Sequence, residues 1–133
     1  MNVWLALVSH EHVHSANARR WWNSTSGEIA FCRLSQLGLL RLLTTAAVMG
    51  NKPLSFDAAW GVYDSLLADE RVVFSQEHSR ADRFFRTFTT GPANSPKVWA
   101  DAWLLAVAEA TGGVLVTFDK ALAKRGAHCL LAE

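Results

Sequence analysis

Two aspartates, Asp101 and Asp119, are the residues of this chain best placed to do chemistry. Asp101 lies among Trp99, Ala100, Ala102 and Trp103, followed by Leu104-Leu105. A carboxylate in such company costs several kcal/mol if it is buried without a partner. Asp119 directly follows the apolar run Val114–Phe118, which reads as a strand. In open α/β sheets ligands gather at the carboxyl ends of strands, and Thr117 brings a hydroxyl to the same edge. Paired carboxylates without a His or Cys partner favour a hard cation, Mg²⁺ or Mn²⁺. Such an ion binds phosphate oxygens and activates water, which points to phosphodiester hydrolysis. Each acid also has a structural duty open to it. Asp119 can cap the helix that follows, a role compatible with metal binding, and Asp101 can sit in the favourable field of a helix N-terminus.

These acids need a helix and a strand to bring them together. Ser95-Pro96 reads as an N-cap followed by proline at the first helical position, opening a long helix to about Thr111 that Gly112-Gly113 stops. The strand Val114–Phe118 comes next, then a helical turn over Ala121–Arg125 and a last strand over His128–Leu131. The two acids meet only if the long helix begins near the carboxyl edge of the sheet. Upstream, the pattern predicts helices over His12–Trp22, Leu34–Leu43, Phe56–Ala68 and Ser79–Thr87, with Ser55 as an N-cap. Leu34, Leu37, Leu40 and Leu42 are candidates for burial. Glu28–Phe31 and Arg71–Phe74 read as strands, and Asn23–Gly27, Gly50–Pro53 and Thr89–Ser95 as breaks. Short apolar strands alternating with helices predict an α/β domain with a parallel sheet.

The composition agrees with one domain spanning 1–133. Half of the 133 residues are hydrophobic and six are tryptophan, too apolar for a disordered chain. The net charge of +1, from 13 basic and 12 acidic residues, provides no general attraction to nucleic acid. Arg19–Arg20, Lys124–Arg125 and the helically spaced Arg80, Arg83 and Arg86 could touch phosphates, although a solvated helix face explains each more simply. Cys32 and Cys129 show no metal spacing and read as free thiols in a reducing cytoplasm. The N-terminus lacks a signal-peptide pattern, and no run reaches the roughly 18 apolar residues of a membrane span. The expected location is cytoplasmic, with no membrane contact.

His10, His12 and His14 alternate, but no carboxylate or cysteine motif completes a zinc site around them. The tryptophans Trp4, Trp21, Trp22, Trp60, Trp99 and Trp103 could stack bases. Core packing or a dimer face accounts for them more simply.

Four segments in order carry a family likeness. They are Asn2-Val3-Trp4-Leu5-Ala6-Leu7, His12-Val13-His14 with Ala16 and Ala18, Asp101-Ala102-Trp103-Leu104-Leu105-Ala106, and Thr117-Phe118-Asp119. Together they resemble the PIN domain, and within it the VapC-type toxin ribonucleases of type II toxin–antitoxin systems. The resemblance implies a three-layer α/β/α, Rossmann-like fold with a central parallel sheet. It implies that Asp101 and Asp119 are catalytic and ligate Mg²⁺ or Mn²⁺, with Asn2 and Thr117 supporting the site by hydrogen bonds. It also implies an RNA substrate, a cognate antitoxin whose tail lies across the active-site groove, and a homodimer.

Two departures follow from the same comparison. The first-motif aspartate is expected two residues before Asn2, immediately ahead of Met1, together with the strand leading into it. The first strand therefore reads as truncated, consistent with an internal valine codon taken as the start. The family glutamate, three residues before Arg41, falls at Gly38, and nearby Gln36 can orient water or a ligand without supplying charge. The sequence thus supports a metal-dependent endoribonuclease toxin. The alternative is a catalytically impaired PIN-like module for antitoxin binding or dimerisation. A Rossmann-like small-molecule phosphohydrolase would need an aspartate nucleophile or a glycine-rich phosphate loop, and neither is evident.

Overall fold

The computed structural model describes residues 2–92 and 95–131. Ala93 and Asn94, in the expected Thr89–Ser95 loop, lie outside the described residues, as does Met1 at the head of the first motif. The chain divides into two compact units, Met1–Ser75 and Gln76–Glu133.

The first unit contains helices α1 (Asn2–Val8), α2 (Ser15–Ser24), α3 (Arg33–Leu43) and α4 (Phe56–Leu67), with strands β1 (Ile29–Phe31) and β2 (Val72–Phe74). β1 and β2 pair in parallel, with Ile29 opposite Val72 and Phe31 opposite Phe74. The core forms around Phe31, which is fully buried. Its ring stacks on Trp4 at 3.8 Å between centroids and meets Tyr63 edge-on at 4.9 Å. Leu39 and Leu43 complete the same cluster. Arg71 ties the unit's surface together. Its guanidinium pairs with Asp69 at 2.9 Å, covers the Trp22 ring at 4.4 Å, and donates to the carbonyls of Trp22 and Thr25 at 2.6 and 2.7 Å.

Several local expectations hold. Ser55 caps α4 by accepting from the Ala58 N–H at 3.1 Å, which satisfies one of the orphan donors of the first turn. Others shift. α2 begins at Ser15 rather than His12, because the His14 N–H donates to His12 Nδ1 at 3.0 Å and the preceding residues turn instead of winding. On α3 the buried leucines are Leu39 and Leu43, while the expected Leu37 is 55% exposed. With six leucines in eleven residues, composition leaves more than one apolar face, and packing chooses the row through Ser35, Leu39 and Leu43.

The second unit contains α5 (Ala81–Phe88), α6 (Val98–Thr111), α7 (Lys120–Ala123) and strands β3 (Val116–Thr117) and β4 (His128–Cys129), again paired in parallel. The α/β class and the parallel pairing agree with the sequence reading. The expected central sheet is a pair of two-stranded ladders among the described residues, one in each unit. Cys32 and Cys129 are buried free thiols. No helix among the described residues is long and apolar enough to cross a membrane.

Replacing Phe31 with alanine removes the ring on which Trp4 and Tyr63 pack. We expect Phe31→Ala to cost about 3–5 kcal/mol of stability. Val13→Ser, at a position 83% exposed, should stay within about 0.5 kcal/mol of the parent. Chemical denaturation of both variants checks the contrast.

Candidate functional site

The site is built from the second unit. Its first part is the start of α6. The Ser95 hydroxyl accepts from the Lys97 N–H at 3.2 Å, and the Val98 N–H donates to the Ser95 carbonyl at 3.1 Å. Ser95 therefore holds the turn before the helix and is not the expected N-cap of α6: the regular helix starts at Val98, with Lys97 at the N-cap position and no side-chain cap bond, because Ser95–Lys97 forms a turn of its own. Asp101 falls in the first helical turn, where the helix N-terminus favours negative charge. α5 braces this segment: Phe85 meets Trp99 at 5.9 Å and Trp103 at 5.3 Å, both edge-on.

At its other end α6 stops at Gly112, whose φ of +74° is a left-handed cap conformation that glycine adopts without strain. The Gly113 N–H closes back on the Ala108 carbonyl at 2.8 Å. The chain then returns as β3. The His128 and Leu130 N–H groups donate to the Leu115 and Thr117 carbonyls at 2.8 and 2.9 Å, which fixes the strand against β4.

Asp119 follows β3 and is fixed twice. Its N–H donates to Thr117 Oγ1 at 3.0 Å, and its Oδ1 accepts from the Ala121 N–H at 2.8 Å, capping α7. The observed cap and the expected ligand role thus fall on one residue, and the Thr117 hydroxyl bonds the Asp119 backbone rather than its carboxylate.

Asp101 and Asp119 line one cleft of about 620 Å³. Lys97, Trp99, Phe88 and Arg125 line it with them. Burial pushes the Asp101 carboxyl above the usual carboxylate range. Lys97 opposes that shift, Asp119 reinforces it by like-charge repulsion, and Arg125 opposes it. The ion pairs seen among the described residues, Arg71–Asp69 and Arg86–Asp82, involve neither acid. Two oxygen-donor side chains facing one cleft suit a hard divalent cation, which would relieve their mutual repulsion. The fit is partial. No group of three or more His, Cys, Asp or Glu side chains able to hold a metal occurs among the described residues, so the alternating histidines form no such site either.

Of the five residues singled out from sequence, Asp101, Asp119 and Thr117 come together in this unit. Asn2 and Gln36 belong to the first unit. Asn2 opens α1 and is exposed. Gln36 is buried on α3, where its Oε1 accepts from the Arg33 guanidinium. Sequence reasoning missed Lys97 and, beyond its place in a basic pair, Arg125. The available signal was a cation four residues before Asp101 and another six residues after Asp119. It also assigned Trp99 to a core or dimer face. Trp4 is buried in a core, but Trp99 is 55% exposed.

The sequence matches the family model described as the PIN domain over residues 1–127. Ribonuclease VapC41 of Mycobacterium tuberculosis is 40% identical over 131 residues, covering 94% of this chain and 90% of that protein. Ribonuclease VapC44 of the same organism is 30% identical over 136 residues, covering 92% and 85%. Among solved structures, M. tuberculosis VapC20, described as a sarcin–ricin loop cleaving toxin, aligns with a TM-score of 0.64 at 16% identity, covering 93% of this chain and 90% of its own. That likeness bears on the fold.

Substitutions should separate the two duties of the acids. Asp119→Ala removes the α7 cap and should cost about 1 kcal/mol, whereas Asp119→Asn, which still caps, should cost only a few tenths. Asp101→Asn should raise Tm in metal-free buffer, because it removes a charge that burial and Asp119 disfavour. Differential scanning calorimetry in the presence of chelator measures all three.

Proposed function

This chain belongs to the PIN domain family, and from that premise we propose that it is an endoribonuclease toxin of a type II toxin–antitoxin pair that hydrolyses RNA phosphodiester bonds with Mg²⁺ or Mn²⁺. The observation that carries the proposal is the placement of Asp101, from the start of α6, and Asp119, from the end of β3, on one cleft. The VapC relatives named above, matched over nearly the whole chain, support the ribonuclease assignment.

In this reading Asp101 and Asp119 hold the cation through their carboxylates. When bound, the ion supplies Lewis-acid polarisation of a phosphate and a lowered pKa for water. The Ala121 N–H holds the Asp119 carboxylate and the Thr117 hydroxyl holds its backbone, so that less rotamer freedom is lost when cation and substrate arrive. The antitoxin would occupy the same groove, and the chain would act in the cytoplasm as a homodimer of single 1–133 domains.

A second reading is favoured by one observation, the lack of a third metal-ligating side chain beside the two acids among the described residues. Two carboxylates bind a divalent ion weakly, and such a chain could bind antitoxin without cutting RNA.

An RNA cleavage assay with Mn²⁺, Mg²⁺ or EDTA decides between them. We expect cleavage with metal, none with EDTA, and a loss of roughly a hundredfold or more in Asp101→Asn and Asp119→Asn, from the several kcal/mol of charge stabilisation that a metal provides. Undiminished cleavage by both variants would refute the proposal. Antitoxin binding with no metal-dependent cleavage would establish the second reading.

A further inference from the structure

We propose that Trp99 is the platform on which a nucleobase of a single-stranded RNA segment stacks, with Lys97 and Arg125 pairing with its phosphates. The proposal rests on the ribonuclease reading for the identity of the ligand and goes beyond it in naming how the ligand is gripped. Trp99 leaves 55% of its surface in water, although it lies two positions from Asp101 in a largely apolar helix. What distinguishes it from the other exposed apolar side chains is its place on the cleft that holds both acids, where an open indole face offers a flat partner a large apolar contact.

The ring is not loose. Phe85 holds it edge-on at 5.9 Å, and Phe85 is itself braced at 88° against Trp103. A pre-positioned indole loses little side-chain entropy when a flat partner arrives. Arg125 is anchored in the same way, donating to the Phe88 carbonyl at 2.8 Å. Its remaining guanidinium N–H groups are donors of the geometry that suits phosphate.

Charge decides the class of ligand. Trp99, Lys97, Arg125 and both acids line one cleft. An apolar protein segment covering the indole would strip water from two cations without replacing it, which is costly. The cations also oppose a metal ion, so they do not serve that centre. A chain that presents flat aromatic faces and regularly spaced negative charges satisfies the indole and both cations together, and RNA is such a chain. The base must be unstacked from its neighbours to reach the ring, which selects single-stranded loops or tails over duplex.

The test is fluorescence anisotropy of a labelled single-stranded RNA oligonucleotide with the full chain in EDTA, where no cleavage occurs. Trp99→Ala should weaken binding by about five- to 150-fold, the range expected for one lost base–aromatic stack. Trp99→Phe should recover most of the affinity and Trp99→Leu should not. Duplex RNA of the same sequence should bind less tightly and be insensitive to all three changes. Thermal denaturation confirms that the variants fold, as substitution of an exposed side chain allows. Equal binding by the parent and Trp99→Ala, recovery by Trp99→Leu, or no binding by the parent would overturn the proposal. A parallel cleavage assay in Mn²⁺ keeps the two readings apart. Cleavage with an unchanged KM in Trp99→Ala sinks the stacking role alone. Trp99-dependent binding without any cleavage sinks the catalytic reading alone.

Discussion

Gly112 turns the second unit's chain from helix into strand through a backbone conformation with φ of +74°, and the site depends on that reversal. From Asp101 to Gly112 the helix advances about 16 Å at roughly 1.5 Å per residue. From Gly113 to Asp119 an extended chain covers about 20 Å at roughly 3.3 Å per residue. The outward and return paths are matched, so the strand delivers Asp119 level with the first turn of α6. A helix start and the end of the following strand then share one edge, which satisfies the condition the sequence imposes on any meeting of the two acids. A side chain with a Cβ at Gly112 would be strained in that conformation, and the return path would change direction with it.

The same edge concentrates opposing electrostatics. Asp101 gains from the helix N-terminus and from Lys97, and loses more through burial and the nearness of Asp119. The Asp119 carboxylate accepts from the α7 amide of Ala121, and its backbone N–H donates to the Thr117 hydroxyl. One acid is thus paired by its own loop while the other remains under-compensated. The divalent cation of the proposed function would relieve that asymmetry. Lys97 and Arg125 temper the field without pairing to either carboxylate within the described ion pairs.

Much of this was legible in the residues. Ser55, Gly112 and Asp119 announce their caps because small polar side chains and glycine solve the end-of-helix problem locally. The strands β1 and β2 lie inside the stretches Glu28–Phe31 and valine-rich Arg71–Phe74 that predicted them. What stayed hidden depends on contacts distant in sequence. The choice of Leu39 and Leu43 over Leu34, Leu37, Leu40 and Leu42 is made by neighbours from other elements, since each leucine is equally apolar. The openness of Trp99 is hidden for the same reason: how much of its ring is covered is set by packing against Phe85 on α5. Lys97 stayed unremarked, and Arg125 was noted only within a basic pair, because a cation near an acid usually means a solvated surface, and only the shared cleft sets these two apart.

The cap made by Asp119 carries a consequence for how such a chain persists over generations. The task of holding the Ala121 N–H can be done by any short oxygen-bearing side chain. Folding therefore exerts no selection for the negative charge at that position, and at Asp101 it works against it. Drift under cellular quality control alone would erode both acids and leave a well-folded shell behind. A lineage that keeps them must be screened on something other than whether the protein folds.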